Sequence, residues 1–374
     1  MGAQQMTHAQ LVNYNLQMRE MLLSSSPVFR KDLGTNTQGA PGGQSRIKLY
    51  NVGLLKRLIL LVTATVDIGT ATATLSNKGP WNLINRVRLT DYSGTDRVNV
   101  SGAHLAAVNN ARYRTYFGYN NEAAAAVFTN PNIPLTVGNT KTLQFFLEVP
   151  VCYSATDTRG IINMQTSEGE MYLNVDWTAT LIANGNDDAV YNGAGTTTVV
   201  QSAGTTFNIQ CIQEYFSPQA DAQGNVYLPP LDAVTVYEIN GMLRSSDNLA
   251  ANNERLINMP NMRSVIGAYV GFLQNGVMDS TNVTRHRVIA NGNNVVQDWP
   301  NSFQLMEQRR WHNSDTRPGQ YQYLYRDKPI ETAMLGNSQI GFTPSAVAGT
   351  TNIEVTFESF YSSGQTLPGM SQAQ

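Results

Sequence analysis

The stretch AGTTFNIQCIQEYF at residues 203–216 has a near copy in AGTTNIEVTFESFY at residues 348–361. In the second copy Ile353, Val355 and Phe357 alternate with polar residues, which is the period of a strand with one face toward a core. The copies lie 145 residues apart (348 minus 203), about the length of one ordinary domain. The pattern predicts two β domains in tandem. Chance is the alternative, since AGTT also occurs at residues 194–197 and such short matches are common.

The composition favours a protein with extensive packing contacts. Only 14% of the 374 residues are charged, against roughly 25% in typical domains, and Asn, Gln, Thr and Ser replace the missing charge. Neutral polar side chains lose less hydration free energy than charged ones when a neighbouring subunit covers them. A simple β-rich protein would fit this composition too.

The charge balance argues against direct binding of nucleic acid. The net charge is −2, from 25 Lys plus Arg and 27 Asp plus Glu, with no terminal block of like charge. Proteins that neutralise phosphates normally carry a basic arm or stripe. The run from Arg309 to His312, with Arg285, His286 and Arg287 nearby in sequence, is the stretch that suggests nucleic acid. Hydrogen bonding by these arginines between subunits is the favoured interpretation.

Cysteine usage points to folding in a reducing compartment. Cys152 and Cys211 match no zinc pattern and cannot make a disulfide framework, so we expect free core thiols. The N-terminus lacks the features of a secretory signal, and the most apolar stretch, Leu58 to Val62, is too short to span a bilayer. We expect neither secretion by that route nor a transmembrane helix.

Strand-like segments rich in β-branched or aromatic residues recur along the chain and predict an all-β fold of two sandwiches or jelly rolls. The first part contains Arg46 to Tyr50, Leu54 to Val66, Trp81 to Thr90, Leu143 to Tyr153, Glu170 to Ile182 and Phe207 to Phe216. The second part contains Asp232 to Ile239, Ser264 to Phe272, Arg285 to Ala290, Tyr321 to Tyr325, Gln339 to Phe342 and Ile353 to Tyr361.

Few helices are predicted. The clearest is amphipathic and spans residues 7–24, and its apolar stripe packs either on its own domain or on a partner or membrane surface. The stripe consists of Leu11, Tyr14, Met18 and Leu22. The shorter candidates are Gly102 to Tyr113, Glu122 to Val127, Ser246 to Asn258 and Ser302 to Arg309.

Polar and turn-forming stretches divide the chain. A Gly, Asn, Thr and Gln stretch from Gly34 to Gln44 predicts an extended arm, and SPQADAQGNV at 217–226 marks a boundary. The predicted units are an N-terminal helix and arm at 1–44, a first jelly roll at 45–217, a linker at 218–230, a second jelly roll at 231–361 and a flexible tail at 362–374.

No motif with clear catalytic or metal-binding spacing occurs, so we assign no catalytic, cofactor-binding or metal-ligating residues. The histidines are scattered along the chain: His8, His104, His286 and His312. Asp187 and Asp188 lie in a Gly/Asn loop and form a candidate calcium site, although EF-hand spacing is absent.

Two groups of charged residues are interpreted as ion pairs that fix loops rather than as catalytic groups. They are Asp157 with Arg159, and Arg326 with Asp327 and Lys328.

Several short motifs follow one another in order along nearly the whole chain. They are WNLINRV at 81–87, SGAHL at 101–105, Val149-Pro150 followed by YSATD at 153–157 and Gly160, YNGAG at 191–195, Leu228-Pro229 with Leu231-Asp232, and RDKPI at 326–330 followed by Gly336-Asn337. This ordered set resembles the double jelly-roll major capsid proteins of tectiviruses, which are tailless icosahedral phages with a membrane inside the shell. Two stretches, Tyr116 to Pro131 and Asp279 to Asn301, depart from the family pattern.

The resemblance implies two eight-stranded jelly rolls per subunit and no enzymatic activity. It implies a homotrimer with six β domains, a capsomer that tiles an icosahedral shell with neighbouring capsomers, minor capsid proteins and vertex proteins. It further implies a viral inner membrane, which the N-terminal helix would contact, and assembly in the host cytoplasm into the virion capsid. On the family pattern the two AGTT segments lead into the closing strand of each jelly roll.

Two other functional classes stay open on the sequence alone. One is a viral receptor- or carbohydrate-binding β-sandwich protein, because Trp81, Trp299 and Trp311 could stack on sugars. Burial of these tryptophans in a core would explain them equally well. The other is a glycoside hydrolase, since two carboxylates can be placed in any β fold.

Overall fold

The computed structural model describes residues 17, 26–38, 41–67, 73–113, 119–120, 140–154, 157, 159–164, 169–193, 206–217, 235–241, 245–247, 253–292, 294–312, 317–332, 337–345 and 350–362. The predicted linker at 218–230, the predicted short helix at 122–127 and the predicted tail beyond Ser362 lie outside these residues. So does the predicted helix at 7–24, apart from Gln17, which is helical and exposed. Among the helices that the structure describes, none is long and apolar enough to cross a bilayer.

The described residues of the first half, within 26–217, form thirteen strands and one α-helix. The strands are β1 Val28–Gln38, β2 Gln44–Lys48, β3 Leu54–Asp67, β4 Ala73–Leu75, β5 Ile84–Thr90, β6 Asp96–Val100, β7 Tyr119–Asn120, β8 Thr140–Pro150, β9 Ile162–Asn163, β10 Tyr172–Trp177, β11 Ile182–Ala183, β12 Tyr191–Gly193 and β13 Thr206–Phe216. A 3-10 turn spans Trp81–Leu83 before β5, and helix α1, Gly102–Tyr113, follows β6.

The second half, residues 235–362, contains eleven strands and one helix within the described ranges. The strands are β14 Thr235–Gly241, β15 Ser245–Asp247, β16 Arg255–Asn258, β17 Ser264–Gln274, β18 Val277–Met278, β19 Val283–Ala290, β20 Asn294–Pro300, β21 Gln320–Leu324, β22 Ile330–Glu331, β23 Gln339–Pro344 and β24 Thr351–Ser362. Helix α2, Asn301–His312, follows β20. Both helices were predicted, at 102–113 and 302–309.

Strand pairing gives the two halves the same plan. In the first half one sheet has the order β1-β13-β3-β8 and the facing strands have the order β2-β10-β5-β6. In the second half β14-β24-β17 continues to β21, and the facing sheet has the order β16-β23-β19-β20. Eight strands of each half therefore correspond one to one, and α1 and α2 follow the corresponding strands β6 and β20. The AGTT segments lead into β13 and β24, which hold equivalent places.

Each half buries a core between its two sheets. Trp177 on β10 stacks on Phe207 of β13 with ring centroids 5.0 Å apart, which joins the sheets of the first half. In the second half Tyr321 on β21 faces Phe342 of β23 at 6.5 Å. The alternation of β13, buried at every second residue from Phe207 to Gln213, follows from this one-sided packing.

Strand β17 is buried at nine consecutive positions because it lies between two cores. Val265, Ala268 and Val270 belong to the core of the second half, whereas Ile266 and Tyr269 pack into the core of the first. The continuous apolar run SVIGAYVGFL is the sequence counterpart of a strand covered on both faces.

Two sequence predictions differ from the structure. The helix predicted over Ser246 to Asn258 was wrong, because β15 and β16 lie there and pair with β24 and β23. The arm predicted over Gly34 to Gln44 belongs largely to strands, since β1 pairs with β13 along its length. Gly34 sits at φ +87° beside a register shift in that pairing, a position that favours glycine. Strand pairing outweighs local propensity in both segments.

Candidate functional site

The two halves meet along a surface with several buried polar contacts, which we call the inter-half interface. Strands β6 and β14 run parallel there, with Ile239 opposite Val98, and join the halves into one eleven-stranded sheet. Helix α1 lies in this interface and is buried at every residue from Gly102 to Ala111. Several of the polar contacts described below cross from one half to the other.

Glu358 on β24 is the centre of the interface. Its carboxylate accepts hydrogen bonds from Tyr237 (2.5 Å) and Tyr269 (2.7 Å) of its own half and from Arg112 of α1 (3.0 Å). The side chain of Glu358 is fully buried and that of Arg112 is 8% exposed. Burial alone would raise the Glu358 pKa, but the charges of Arg112 and Arg326 and the tyrosine hydroxyls hold it below its usual range.

A second crossing contact involves Lys78 and His104 of the first half. The buried Lys78 ammonium contacts Asp188 at 2.7 Å and Glu354 of β24 at 2.9 Å. His104 on α1 shares a 2.7 Å hydrogen bond through Nδ1 with the Thr356 hydroxyl. Burial lowers the pKa of His104 to about 4, so the ring is neutral at pH 7.

The candidate calcium carboxylates Asp187 and Asp188 have structural partners. Asp187 is buried and accepts hydrogen bonds from the backbone N–H groups of Asn77 (2.9 Å) and Met278 (2.7 Å). Asp188 is the ion-pair partner of Lys78. Among the described residues no group of three or more His, Cys, Asp or Glu side chains could hold a metal ion. Asp187 thus joins the two halves through Met278.

A third buried carboxylate, Glu214, lies on β13. Arg57 and Arg30 contact it at 2.9 Å and Lys56 at 3.0 Å, while Arg57 also reaches Glu148 at 2.6 Å. Burial opposes ionisation of Glu214, but the hydrogen bonds from Arg57, Arg30 and Lys56 outweigh it and hold the pKa at about 2. The group is ionised across the whole physiological range.

Gly160 marks a close approach of the halves and supports a stability prediction. Its φ is +88°, and a Cβ there would lie 2.3 Å from Cβ of Tyr237. Gly94, at φ +82° with nothing within 4 Å, is a matched control. We expect Gly94→Ala to lower the free energy of unfolding by about 1–2 kcal/mol because of backbone strain. Gly160→Ala should cause the same loss and a further loss of about 1–3 kcal/mol from the steric overlap.

Urea unfolding of the two variants beside the parent protein measures both losses. Equal losses of unfolding free energy in the two variants would mean that the two halves are not in close contact at Gly160.

Other side chains singled out from the sequence have structural roles. Asp157 and Arg159 form the predicted loop ion pair, with Nη2 of Arg159 2.6 Å from the carboxylate. The ion pair predicted for Arg326 with Asp327 was wrong, because Arg326 instead donates to the Ala111 carbonyl of α1 at 2.9 Å. Both Cys152 and Cys211 are buried free thiols, as predicted.

The tryptophans considered for sugar stacking pack against protein groups. Trp81 is buried, with the Arg317 guanidinium 4.1 Å from its ring centroid. Trp299 packs on Phe303 at 5.1 Å and donates to Gln304, and Trp311 donates to Glu307 at 3.0 Å.

The basic residues that suggested nucleic-acid binding lie in different surroundings. Arg285 and Arg287 pair with Asp298 and Glu254. His286 is buried between Tyr323 and Asn301. Arg309 and Arg310 are exposed on α2.

Comparison with known proteins gives consistent matches. A family model described as P3 major capsid protein N-terminal matches residues 2–217, and one described as P3 major capsid protein C-terminal matches residues 234–373. The major capsid protein P3 of Enterobacteria phage PRD1 is 25% identical over 372 residues, covering 93% of this chain and 91% of the relative.

Solved structures share the fold. The STIV MCP superposes with a TM-score of 0.64 at 13% identity, over 90% of this chain and 97% of the other. The major capsid protein P2 of bacteriophage PM2 gives 0.54 at 9% identity, over 90% and 99%. These similarities confirm the predicted fold class of two tandem jelly rolls.

Proposed function

Because the chain belongs to the family of P3 major capsid proteins, we propose that it forms homotrimeric capsomers that tile an icosahedral shell over an internal membrane. Its place is the virion capsid. The observation that carries the trimer is the correspondence of the two halves. One junction is made inside the subunit, and the equivalent strand edge of the other half has no partner strand among the described residues.

The junction made inside the subunit covers strand β6 and helix α1. The outer edge of β6 pairs with β14, the first strand of the second half. Helix α1 is buried because the second half packs on it through contacts such as those of His104 and Arg112. The second half therefore supplies both the hydrogen-bonding partner for the β6 edge and the surface that buries α1.

The equivalent segment, β20 with α2, is not paired with another half in this way within the described chain, although α2 contacts α1. Among the described strands β20 pairs only with β19, and Val296 on it is 54% exposed. Helix α2 turns glutamines inward, with Gln304 and Gln308 buried, and leaves Phe303 and Met306 exposed. A helix that buries glutamines and exposes large apolar side chains is typical of a surface that a partner covers.

The first half offers the matching surface. Strand β1 corresponds to β14, pairs only with β13 among the described strands, and exposes Val28 and Phe29. If β20 and α2 of one subunit meet β1 of the next, the contact repeats the junction inside the subunit. Three junctions within subunits and three between them close a ring of six β domains, which is a closed heterologous assembly.

A charge at the β20 edge should weaken the trimer. We expect Val296→Lys to reduce the trimer fraction at least about tenfold, since an unpaired ammonium would be desolvated in the contact. Leu256→Lys is the control, because Leu256 is also exposed but lies on β16, at the opposite edge of the same sheet. Sedimentation velocity over a concentration series measures both. Equal trimer fractions in the two variants would remove β20 from the interface.

The apolar stripe of the predicted N-terminal helix suits the inner face of the shell, against the membrane or a neighbouring capsomer. Deleting residues 1–24 is expected to leave trimers intact and to impair shell assembly, as seen by electron microscopy of particles. Failure to form trimers, or particles of normal appearance, would contradict this placement.

We further propose that the protein has no enzymatic activity and no direct contact with nucleic acid. We propose that minor capsid and vertex proteins bind its shell, and that it is made and assembled in the host cytoplasm. Buried free thiols fit such a reducing compartment.

A further inference from the structure

A cavity of about 210 Å³ opens beside the inter-half interface, at the C-terminal end of helix α1. Four of the side chains that line it are cationic, and one, Glu148, is a carboxylate. The cations are Lys56, Arg57, Arg112 and Arg326. Three come from the first half and Arg326 from the second. A cavity this size is several times the roughly 30 Å³ that one water occupies in the liquid.

Three of these cations have carboxylate partners. Lys56 and Arg57 hold Glu214, and Arg57 also contacts Glu148. Arg112 holds Glu358. The carboxylates near the cavity are thus already engaged.

Arg326 is different. Its Nη1 donates to the Ala111 carbonyl, and its charge acts on Glu358, but it forms no ion pair among the described residues. Its Nε and Nη2 are buried without a hydrogen-bond partner, and so is Nε of Arg112, whose side chain is 8% exposed. Buried charged donors without acceptors are costly, because they lose their hydration without compensation.

We propose that this cavity binds a small oxyanion of the phosphate class, held between Arg326 and Arg112. A phosphate offers several acceptor oxygens, and the planar guanidinium fork matches two of them at once. The bound ion would also connect the two halves, since its ligands come from both. Burial raises the pKa of Cys152, another lining residue, to about 11, so its thiol adds no negative charge.

Thermal unfolding of the full-length protein with inorganic phosphate, at ionic strength held constant with KCl, tests the proposal. A ligand that binds only the folded state raises Tm with concentration. We expect such a rise for the parent protein and at least about tenfold weaker binding by Arg326→Gln, because charge-assisted hydrogen bonds are lost. Arg326→Lys should weaken binding too, since it keeps the charge but loses the fork.

Lys328→Gln is the matched control, since it removes one positive charge two residues away at an exposed position. It should bind phosphate like the parent protein. Glycerol phosphate forms a further arm: a Tm rise with both ligands indicates that the site accepts a lipid-type headgroup, and a rise with phosphate alone indicates the free ion. An absent rise in the parent protein at tens of millimolar phosphate would overturn the proposal, as would equal rises in all variants. The capsid function does not depend on either result.

Discussion

Replacing Glu358 with glutamine is expected to lower the free energy of unfolding by about 3–5 kcal/mol, the usual cost of breaking a buried ion pair by removing one partner. The change leaves the Arg112 guanidinium buried without its carboxylate, and it weakens the acceptor of Tyr237 and Tyr269. The change should weaken the contact between the two halves, because Arg112 lies in the first half and Glu358 in the second. Urea unfolding followed by far-UV circular dichroism measures the loss.

Glu170→Gln provides the control for that prediction. Glu170 also pairs with a cation, Lys48, but both side chains are more than half exposed. Exposed pairs contribute little because water and salt screen them, so we expect no measurable change. A Glu358→Gln loss no larger than the Glu170→Gln loss would contradict the assigned importance of the inter-half interface.

Acidification from pH 6.5 to about pH 4.5 is expected to cost about 2–3 kcal/mol of unfolding free energy for each of His104 and His286. Burial lowers both pKa values from 6.5 to about 4 in the folded protein. In this window the unfolded chain therefore binds a proton at each histidine and the folded chain does not. The stability contributed by the two neutral histidines is present above pH 6.5 and is lost progressively as pH falls toward 4.

The window separates the histidines from the buried carboxylates. Glu214, with a pKa of about 2, loses its contribution only as pH falls from 4.5 toward 2. His286→Gln should therefore remove about half of the loss between pH 6.5 and 4.5, whatever its effect on stability at pH 7. Urea unfolding at four pH values gives the slope, and a variant whose slope equals that of the parent protein would show that His286 does not titrate there.

The sequence allowed the strands with a buried face to be predicted because burial imposes a period of two. The alternation of Ile353, Val355 and Phe357 located β24, and the apolar run near Val265 located β17. Strand β1 was not predicted, because it lies at a sheet edge and most of its described side chains are exposed or partly exposed. The paired polar strand is set by its partner β13, which no local pattern reveals.

The inter-half interface was hidden for a related reason. Thr356 and Glu358 occupy the polar face of β24, which a sequence pattern assigns to solvent, yet both are fully buried against the other half. Helix α2 reverses the usual expectation too, with Gln304 inside and Met306 63% exposed. Periodicity identifies two faces of an element but does not tell which partner covers the polar one. The sequence did offer one signal of this interface: Glu354 and Glu358 lie within the otherwise strong strand pattern of β24.

The mass of the full-length protein in solution tests the central claim most directly. Light scattering coupled to size-exclusion chromatography should give about 123 kDa, three times the 41.1 kDa subunit, because β20 and α2 of each copy are covered by the first half of the next. The mass should persist on dilution to micromolar concentration. A species of 41.1 kDa, stable across the same range, would contradict the trimeric capsomer and the ring of six β domains.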